Sequence, residues 1–327
     1  MIFKCKNCGG NTVYNPEKGT LCCPQCDSID SEEKMNSSSL TECANCGAPI
    51  TAGDFASALR CPNCGSYIIL DERVQGEYQP NLILPFKFGK QKAVEILNKE
   101  FKKRVFTPSG FLSQASIEAM EGTYVPFFMY DFHSDISYSG KGTKVRSWTS
   151  GNTEYTETSY YDVIREMDVD FDKIPVDASK RMDDSIMDLM EPYEYQALLN
   201  FEEKYMSGFE GEKYNEPAAD LQSRAKEKAQ KDSKMLLHDS LKGYSTLRGT
   251  SEDISITDKG YHYALLPVWV YIFQYQGINY KFHVNGQTGK VIGKTPISAK
   301  RVWAYTLTTF AITMLMALFV KIIIGGM

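Results

Sequence analysis

CANCGAPITAGDFASALRCPNC, residues 43–64, sets two C-x2-C turns on either side of a fourteen-residue spacer. The same arrangement stands 38 positions earlier, where Cys5, Cys8, Cys23 and Cys26 precede Cys43, Cys46, Cys61 and Cys64 by one constant offset. A repeated C-x2-C-x14-C-x2-C unit reads as tandem zinc sites. Each C-x2-C turn places two thiolates about one tetrahedral edge apart. Gly9, Gly47 and Gly65, behind three of the turns, let the backbone fold beneath the ion. Four thiolates leave no position for water or substrate, so each site is structural rather than catalytic. A unit of about 30 residues is too small to fold on its apolar core alone, and metal binding of roughly 10–16 kcal/mol supplies what is missing.

A disulfide framework is the competing reading. It needs an oxidising compartment, and MIFKCKNCGG contains no apolar stretch that would direct export. Cys22 stands beside Cys23, outside both the x2 spacing and the repeat, and reads as a spare thiol. Iron in a rubredoxin-like site is the minor alternative to zinc. Ribbons of this kind often hold nucleic acid, which asks for clustered Lys and Arg. Up to Leu70 the chain has Lys4, Lys6, Lys18, Lys34 and Arg60 against Glu17, Asp27, Asp30, Glu32, Glu33, Glu42 and Asp54. With a net charge of −5 over 327 residues as well, composition favours protein docking over phosphate binding.

At the other end of the chain, residues 302–320 carry no charge. Those nineteen residues make about 28 Å of helix, close to the ~30 Å thickness of a bilayer's hydrocarbon. Trp303 and Tyr305 stand where an aromatic belt would be, and Lys321 is near enough to the end to snorkel. A buried core helix is the alternative, and Thr306, Thr308, Thr309 and Thr313 would suit it. Lys294, Lys300 and Arg301 precede the segment while only Lys321 follows, so the positive-inside rule keeps the N-terminal side in the cytosol and puts the C-terminus outside. A reducing cytosol also preserves metal-bound thiolates.

The expected organisation is a first ribbon over 1–29, a linker over 30–42, a second ribbon over 43–70 and a linker over 71–81. A cytosolic α+β domain follows over 82–298, and a C-terminal transmembrane anchor over 299–327. The domain opens with a strand at 82–88 and a helix at 90–104 whose Val94, Leu97 and Phe101 share a face. Its basic side could rest on anionic lipid or simply face water. A strand at 123–140, a turn at Gly140–Gly142 and a further strand come next, then an alternating run at 155–172. Helical sequence occupies 183–240, and strands return at 261–276, 278–286 and 290–293. LPFKF, VPFFMYDF and LPVWVYIF each put a proline before an aromatic-rich strand, as at a strand's start or edge.

Catalytic motifs are not found. GQTGKVIGKT (286–295) has Thr288 where a P-loop needs glycine and reads as a hairpin turning at Asn285-Gly286. DVDFD (168–172) fails as a calcium loop and reads as the wet face of a strand. His133, His238, His262 and His283 form no ligand or base pairing in sequence, and His133 beside Asp131 and Asp135 reads as a surface residue.

KCKNCGG, LCCPQCDS, LPFKFGKQKA, GTYVPFFMYDF, IPVDASKRMDD, EPYEYQALLNF, YALLPVWVYIF and VNGQTGKVIGKTPIS, with the apolar tail after them, span nearly the whole chain. In these phrases the chain resembles bacterial membrane proteins that carry a transcription-factor-IIB-type zinc ribbon and are often mislabelled as the primosomal helicase. The resemblance implies a membrane-bound scaffold associated with envelope stress, with phage-shock protein A or flotillin-type and virion-core-like partners. Two ribbons and a single span are where this chain departs from its relatives.

The expected fold class is therefore small, hairpin-rich zinc ribbons, an α+β domain with antiparallel strands, and one C-terminal transmembrane helix. The expected function is a non-enzymatic adaptor, not an enzyme. It holds two structural Zn2+ through Cys5, Cys8, Cys23, Cys26, Cys43, Cys46, Cys61 and Cys64, and sits in the cytoplasmic membrane recruiting cytosolic proteins. A membrane-tethered nucleic-acid binder is the alternative.

Overall fold

The computed structural model describes residues 1–327 except 31, 37–40, 109–119, 276 and 326–327. The first ribbon comprises β1 (Ile2–Cys5), β2 (Val13–Asn15), β3 (Thr20–Cys22) and β4 (Glu32–Met35), with β2 paired to β3 and β1 to β4. The second is the hairpin β5 (Ala56–Arg60) and β6 (Tyr67–Ile69). Then come β7 (Leu82–Ile83), α1 (Lys90–Lys103), β8 (Met120–Ser150), β9 (Thr153–Asp177) and α2 (Asp184–Met190). The chain continues through β10 (Leu199–Asn200), β11 (Glu210–Glu212), α3 (Ala218–Ser240), β12 (Thr246–Tyr275), β13 (Ile278–Asn285), β14 (Val291–Gly293) and α4 (Ala299–Gly325).

A blade of three long antiparallel strands dominates the molecule. β12 pairs with β8 from Tyr271↔Met120 to Thr246↔Thr143, and β9 pairs with β8 from Phe127↔Asp177 to Ser150↔Thr153. At about 3.3 Å per residue, the 31 residues of β8 run about 100 Å. α3 lies across the blade with Ala218, Leu221, Ala225, Ala229, Ser233 and Leu237 buried, a stripe at helical spacing. Small residues bring the helix close enough for Ser233 and Ser134 hydroxyls to bond at 2.8 Å, and Tyr130 Oη donates to Ala218 O at 2.5 Å. An ionic clasp fastens the end of β9 and α2 to α3. Arg224 meets buried Asp177 at 3.0 Å, Asp184 at 3.1 Å and Asp188 at 2.8 Å, and Lys228 reaches Asp188 and Glu191.

The expected turn at Gly140–Gly142 is not there; β8 runs straight through it and turns at Gly151. Both glycines serve close approach instead. A Cβ on Gly140 would lie 2.7 Å from Arg248 O, and one on Gly142 2.7 Å from Tyr244 Cδ1 and 3.0 Å from Val163 Cγ2. The strand expected at 261–276 begins fifteen residues earlier, at Thr246, and residue 276 lies outside the described residues. Helix does not fill 183–240: Pro192, Gly208, Gly211 and Pro217 separate α2 from α3, with short strands and 3-10 turns between. The strand expected at 82–88 is only β7.

The prolines are placed differently too. Pro126 and Pro267 lie inside β8 and β12, opposite Leu265 and Tyr124. Pro126 O accepts from Ala178 N at 2.9 Å, and Pro267 O from Gly286 N at 3.0 Å. Each proline nitrogen therefore faces the outer side of its strand, where β11 gives way to β9 beside β8 and β7 gives way to β13 beside β12. The missing N–H falls in a gap between neighbours, so no ladder bond is lost.

The ribbons are not beads on linkers. β5 and β6 extend the main sheet in the order β10-β7-β12-β8-β11-β5-β6, and parallel contacts of β11 with β8 and β7 with β12 make that sheet mixed rather than antiparallel. From the first ribbon, Phe3, Tyr14 and Leu21 enter the main core, with Tyr14 edge-on to Tyr205. The expected linker at 71–81 is folded: Asp71–Arg73 and Gly76–Tyr78 are 3-10 turns, and Arg73 holds Ala56 O at 2.7 Å. In the 30–42 linker, Glu32–Met35 is β4, while residues 31 and 37–40 lie outside the described residues.

His283 on β13 is 4 % exposed, and burial, aided by Lys281 and opposed by Asp183, lowers its pKa to about 4. Folding thus favours the neutral ring, and that contribution is complete above pH 6.5 and is lost as pH falls toward 4. His283→Gln is expected to flatten the acid limb of stability in this window by up to about 3 kcal/mol relative to the parent, read by urea unfolding. An unchanged limb would contradict it. Gly142→Ala, whose added methyl meets Tyr244 and Val163, is expected to cost about 1–3 kcal/mol in the same assay.

Candidate metal centres

Eight cysteines come together as two groups of four: Cys5, Cys8, Cys23 and Cys26, and Cys43, Cys46, Cys61 and Cys64. Within each group the ligand atoms all lie within 4.8 Å of one another. Sulfur separations are 3.6 Å for Cys5–Cys26, 3.5 Å for Cys8–Cys23, 3.7 Å for Cys43–Cys64 and 3.9 Å for Cys46–Cys61. Four sulfurs about 2.3 Å from one ion form a tetrahedron with edges of about 3.8 Å, so both groups fit a metal ion. All nine cysteines are free thiols, which sets the disulfide framework aside. Cys22 joins neither group; it is buried on β3, its Sγ 3.9 Å from Thr20 O.

All four knuckles share one backbone fold. The N–H of the first cysteine bonds five residues on, to Gly10, Ser28, Ala48 and Ser66. The residue after the second cysteine donates back to the first at 2.8–2.9 Å. That residue takes a positive φ: 72° at Gly9, 69° at Gly47 and 73° at Gly65. At the fourth knuckle Asp27 adopts 57° without being glycine, a cost that asparagine and aspartate tolerate better than other side chains.

Amides surround the sulfurs, and these the sequence reading missed. Asn7, Gln25, Asn45 and Asn63 each precede the second cysteine of a knuckle. Asn45 Nδ2 donates to Cys64 Sγ and Asn63 Nδ2 to Cys46 Sγ, both at 3.5 Å, and Asn7 Nδ2 donates to Ser28 Oγ at 2.9 Å. The Ser28 hydroxyl lies 2.7 Å from Cys26 Sγ, and its counterpart Ser66 lies 3.2 Å from Cys64 Sγ. Four motifs reading CKNC, CPQC, CANC and CPNC were the available signal. Such donors spread the charge of a four-thiolate centre. The Cys8 backbone N–H and the Ser28 hydroxyl lower the Cys5 thiol to about 6. For Cys64, burial pushes upward, and Ser66 and Asn45 outweigh it to bring the thiol to about 6. The ribbons also hold each other: Lys4 Nζ donates to Asn45 Oδ1 and Asn11 Nδ2 to Ser66 Oγ.

His133, Asp135 and Asp168 form a third cluster, on the blade. The imidazole is already engaged, by Asp170 at 2.8 Å and Asp135 at 3.3 Å, and the Asp170 hydrogen bond raises its pKa. The carboxylates of Asp135 and Asp168 are exposed, as on the wet face of a strand. His262, near Asp131, and His238, beside Asp239, stand apart from both four-cysteine groups. GQTGKVIGKT is the hairpin expected, with Asn285 Oδ1 accepting from Gln287 N and Thr288 N.

α4 is long and apolar enough over Ala299–Ile322 to cross a membrane, and none of that stretch is buried. A core helix is therefore set aside. Its threonines turn their hydroxyls inward: Thr306, Thr308, Thr309 and Thr313 each donate to the carbonyl four residues back at 2.9–3.0 Å.

The uncharacterized protein YdjG of Bacillus subtilis (strain 168) is 35 % identical to this chain over 338 residues, covering 100 % of the chain and 99 % of that protein. The chain belongs to the YdjG family. No family model matches it, and neither does a solved structure. The match with YdjG runs from the ribbons through the blade to α4, so one family relationship covers both four-cysteine groups and the apolar helix.

Elemental analysis of the purified protein is expected to find two divalent ions per chain. Cys43→Ser should leave one and Cys22→Ser two. Asn45→Ala should keep two while weakening the second site roughly 10–100-fold, read by chelator competition. Full metal content in Cys43→Ser would refute the assignment.

Proposed function

We propose that the protein is a non-enzymatic scaffold held in the cytoplasmic membrane by α4, with its ribbons and blade in the cytosol, where the ribbons dock partner proteins. One observation carries this reading: two closed groups of four cysteines and a long apolar helix, none of whose membrane-length stretch is buried, belong to one folded body. An all-sulfur tetrahedral shell suits Zn2+, which here stiffens a surface rather than activating water. Lys294, Lys300 and Arg301 before α4, against Lys321 near its end, favour the cytosolic side for the body, where thiolates stay reduced.

The geometry suggests where docking would take place. The first ribbon and residues Gly89–Lys92 line one cleft of about 380 Å3, so that ribbon stands at the N-terminal end of α1. α4 starts beside the other end, where Ser298 N bonds Phe106 O. Fourteen residues of helix separate the two, about 21 Å, which keeps the first ribbon near the membrane surface. Two ions in four-thiolate shells each add −2, taking the formal charge from −5 to −9. Such a charge favours docking of protein over nucleic acid.

Deleting residues 299–327 is expected to move the protein from the membrane to the soluble fraction. From membranes, the tagged full chain is expected to retain a stoichiometric protein that Cys61→Ser/Cys64→Ser loses. Phage-shock protein A and flotillin-type proteins are the first to seek, given the resemblance above. Undiminished capture by the double variant would remove the docking role, and nucleic acid in place of a protein would favour the alternative.

A further inference from the structure

The segment after α1 is strapped to the foot of α4. Arg104 Nη1 donates to Gly293 O at 2.7 Å, and the Thr107 hydroxyl donates to that of Thr295 at 3.0 Å. Ser298 N donates to Phe106 O at 2.8 Å and Arg301 Nη1 to Val105 O at 3.3 Å. Phe106 meets Tyr305 edge-on with centroids 5.5 Å apart. α1 is itself fixed to the body by buried Ala93, Val94, Leu97 and Phe101, the last edge-on to Phe282 at 4.8 Å. The last turn of α1 therefore keeps a fixed place beside the first turns of α4.

Positive charge gathers at this junction. Lys99 and Lys102 from α1, and Lys294 and Lys300 from the approach to α4, are exposed and form no ion pair among the described residues. The neighbouring acids are already taken: Glu95 pairs with Lys92, and Glu100 with Lys103 and Arg104. Between these cations, apolar side chains stand in the open, Val105 at 56 % and Ile297 at 75 % exposure, with Trp303 at 66 % just above. Apolar side chains interleaved with cations suit the boundary between headgroups and acyl chains. The contact of Phe106 with Tyr305 puts Val105 level with the aromatic residues at the start of α4, the depth at which headgroups meet acyl chains.

We propose that this junction is a collar for anionic phospholipid, in which the last turn of α1 and residues 294–301 lie against acidic headgroups while Val105 and Ile297 dip between them. The collar rests on α4 being a membrane span, and its continuity with α4 is what selects lipid over a soluble polyanion. Lysines near a negative leaflet act together, so the attraction is short-ranged and screened by salt.

The test uses the full chain with Trp148→Phe, reconstituted in phosphatidylcholine vesicles that contain equal fractions of either brominated phosphatidylcholine or brominated phosphatidylglycerol. Trp303 fluorescence is the readout, with buried Trp269 as a constant background. Brominated phosphatidylglycerol is expected to quench Trp303 with a several-fold preference that high salt weakens. Lys99→Gln/Lys102→Gln should cut that preference by at least half while keeping two metal ions, a check that the variant is folded. Equal quenching by both lipids, or a preference that the α1 pair leaves untouched, would overturn the collar and leave α4 as a span. No quenching by either lipid would remove the span and the collar together.

Discussion

The antiparallel ladder between β8 and β12 holds its pairing from Met120 opposite Tyr271 to Thr143 opposite Thr246, and the other elements take their positions from it. On one side it carries β9 and, lower down, β11, through which the second ribbon joins the sheet. On the other it carries β7 and β13, and β13 leads through β14 to α4. Pro126 and Pro267 mark the two places where an outer neighbour changes. A backbone position that cannot donate is harmless only in such a gap, so the prolines also discourage the outer strands from sliding into one another's places.

This arrangement makes the ribbons parts of a rigid end rather than mobile appendages. β5 takes its place from β11, and Tyr14 packs on Tyr205. The two four-cysteine groups then lie on a surface whose outline is set by the sheet, with amides and serines around their sulfurs. Lys4 and Asn11 reach from the first ribbon to Asn45 and Ser66 beside the second centre, so the two sites share supports.

Much of the site was legible in the sequence because its chemistry is carried by spacing: C-x2-C with a constant offset admits few other readings. α1 was legible because Val94, Leu97 and Phe101 recur at helical period on a short, well-bounded segment. The blade was harder. Between Thr246 and Gly260 most side chains are exposed, with only residues such as Leu247, Ile254 and Ile256 half-buried, so the alternation that marks a strand is faint. Gly140 and Gly142 misled for a different reason. Glycine is used both for unusual backbone angles and for want of a Cβ, and only the neighbouring strand and Tyr244 show which applies. The amides of the knuckles were visible as Asn7, Gln25, Asn45 and Asn63, yet an amide in a loop ordinarily signals a turn and nothing more.

The pairing of β5 with β11 joins residues about 150 positions apart, and this has a consequence in time. At a synthesis rate of roughly 5–20 residues per second, the second ribbon leaves the ribosome about 8–30 s before its sheet neighbour exists. Through that interval the edge of β5 is open, and an open strand edge invites wrong partners. Four thiolates closing on an ion need nothing from the rest of the chain. On the metal assignment proposed above, capture of the ion would shape the hairpin while it waits, and the supply of the ion during translation, and not only in the finished protein, would then bear on how much of the chain reaches this fold.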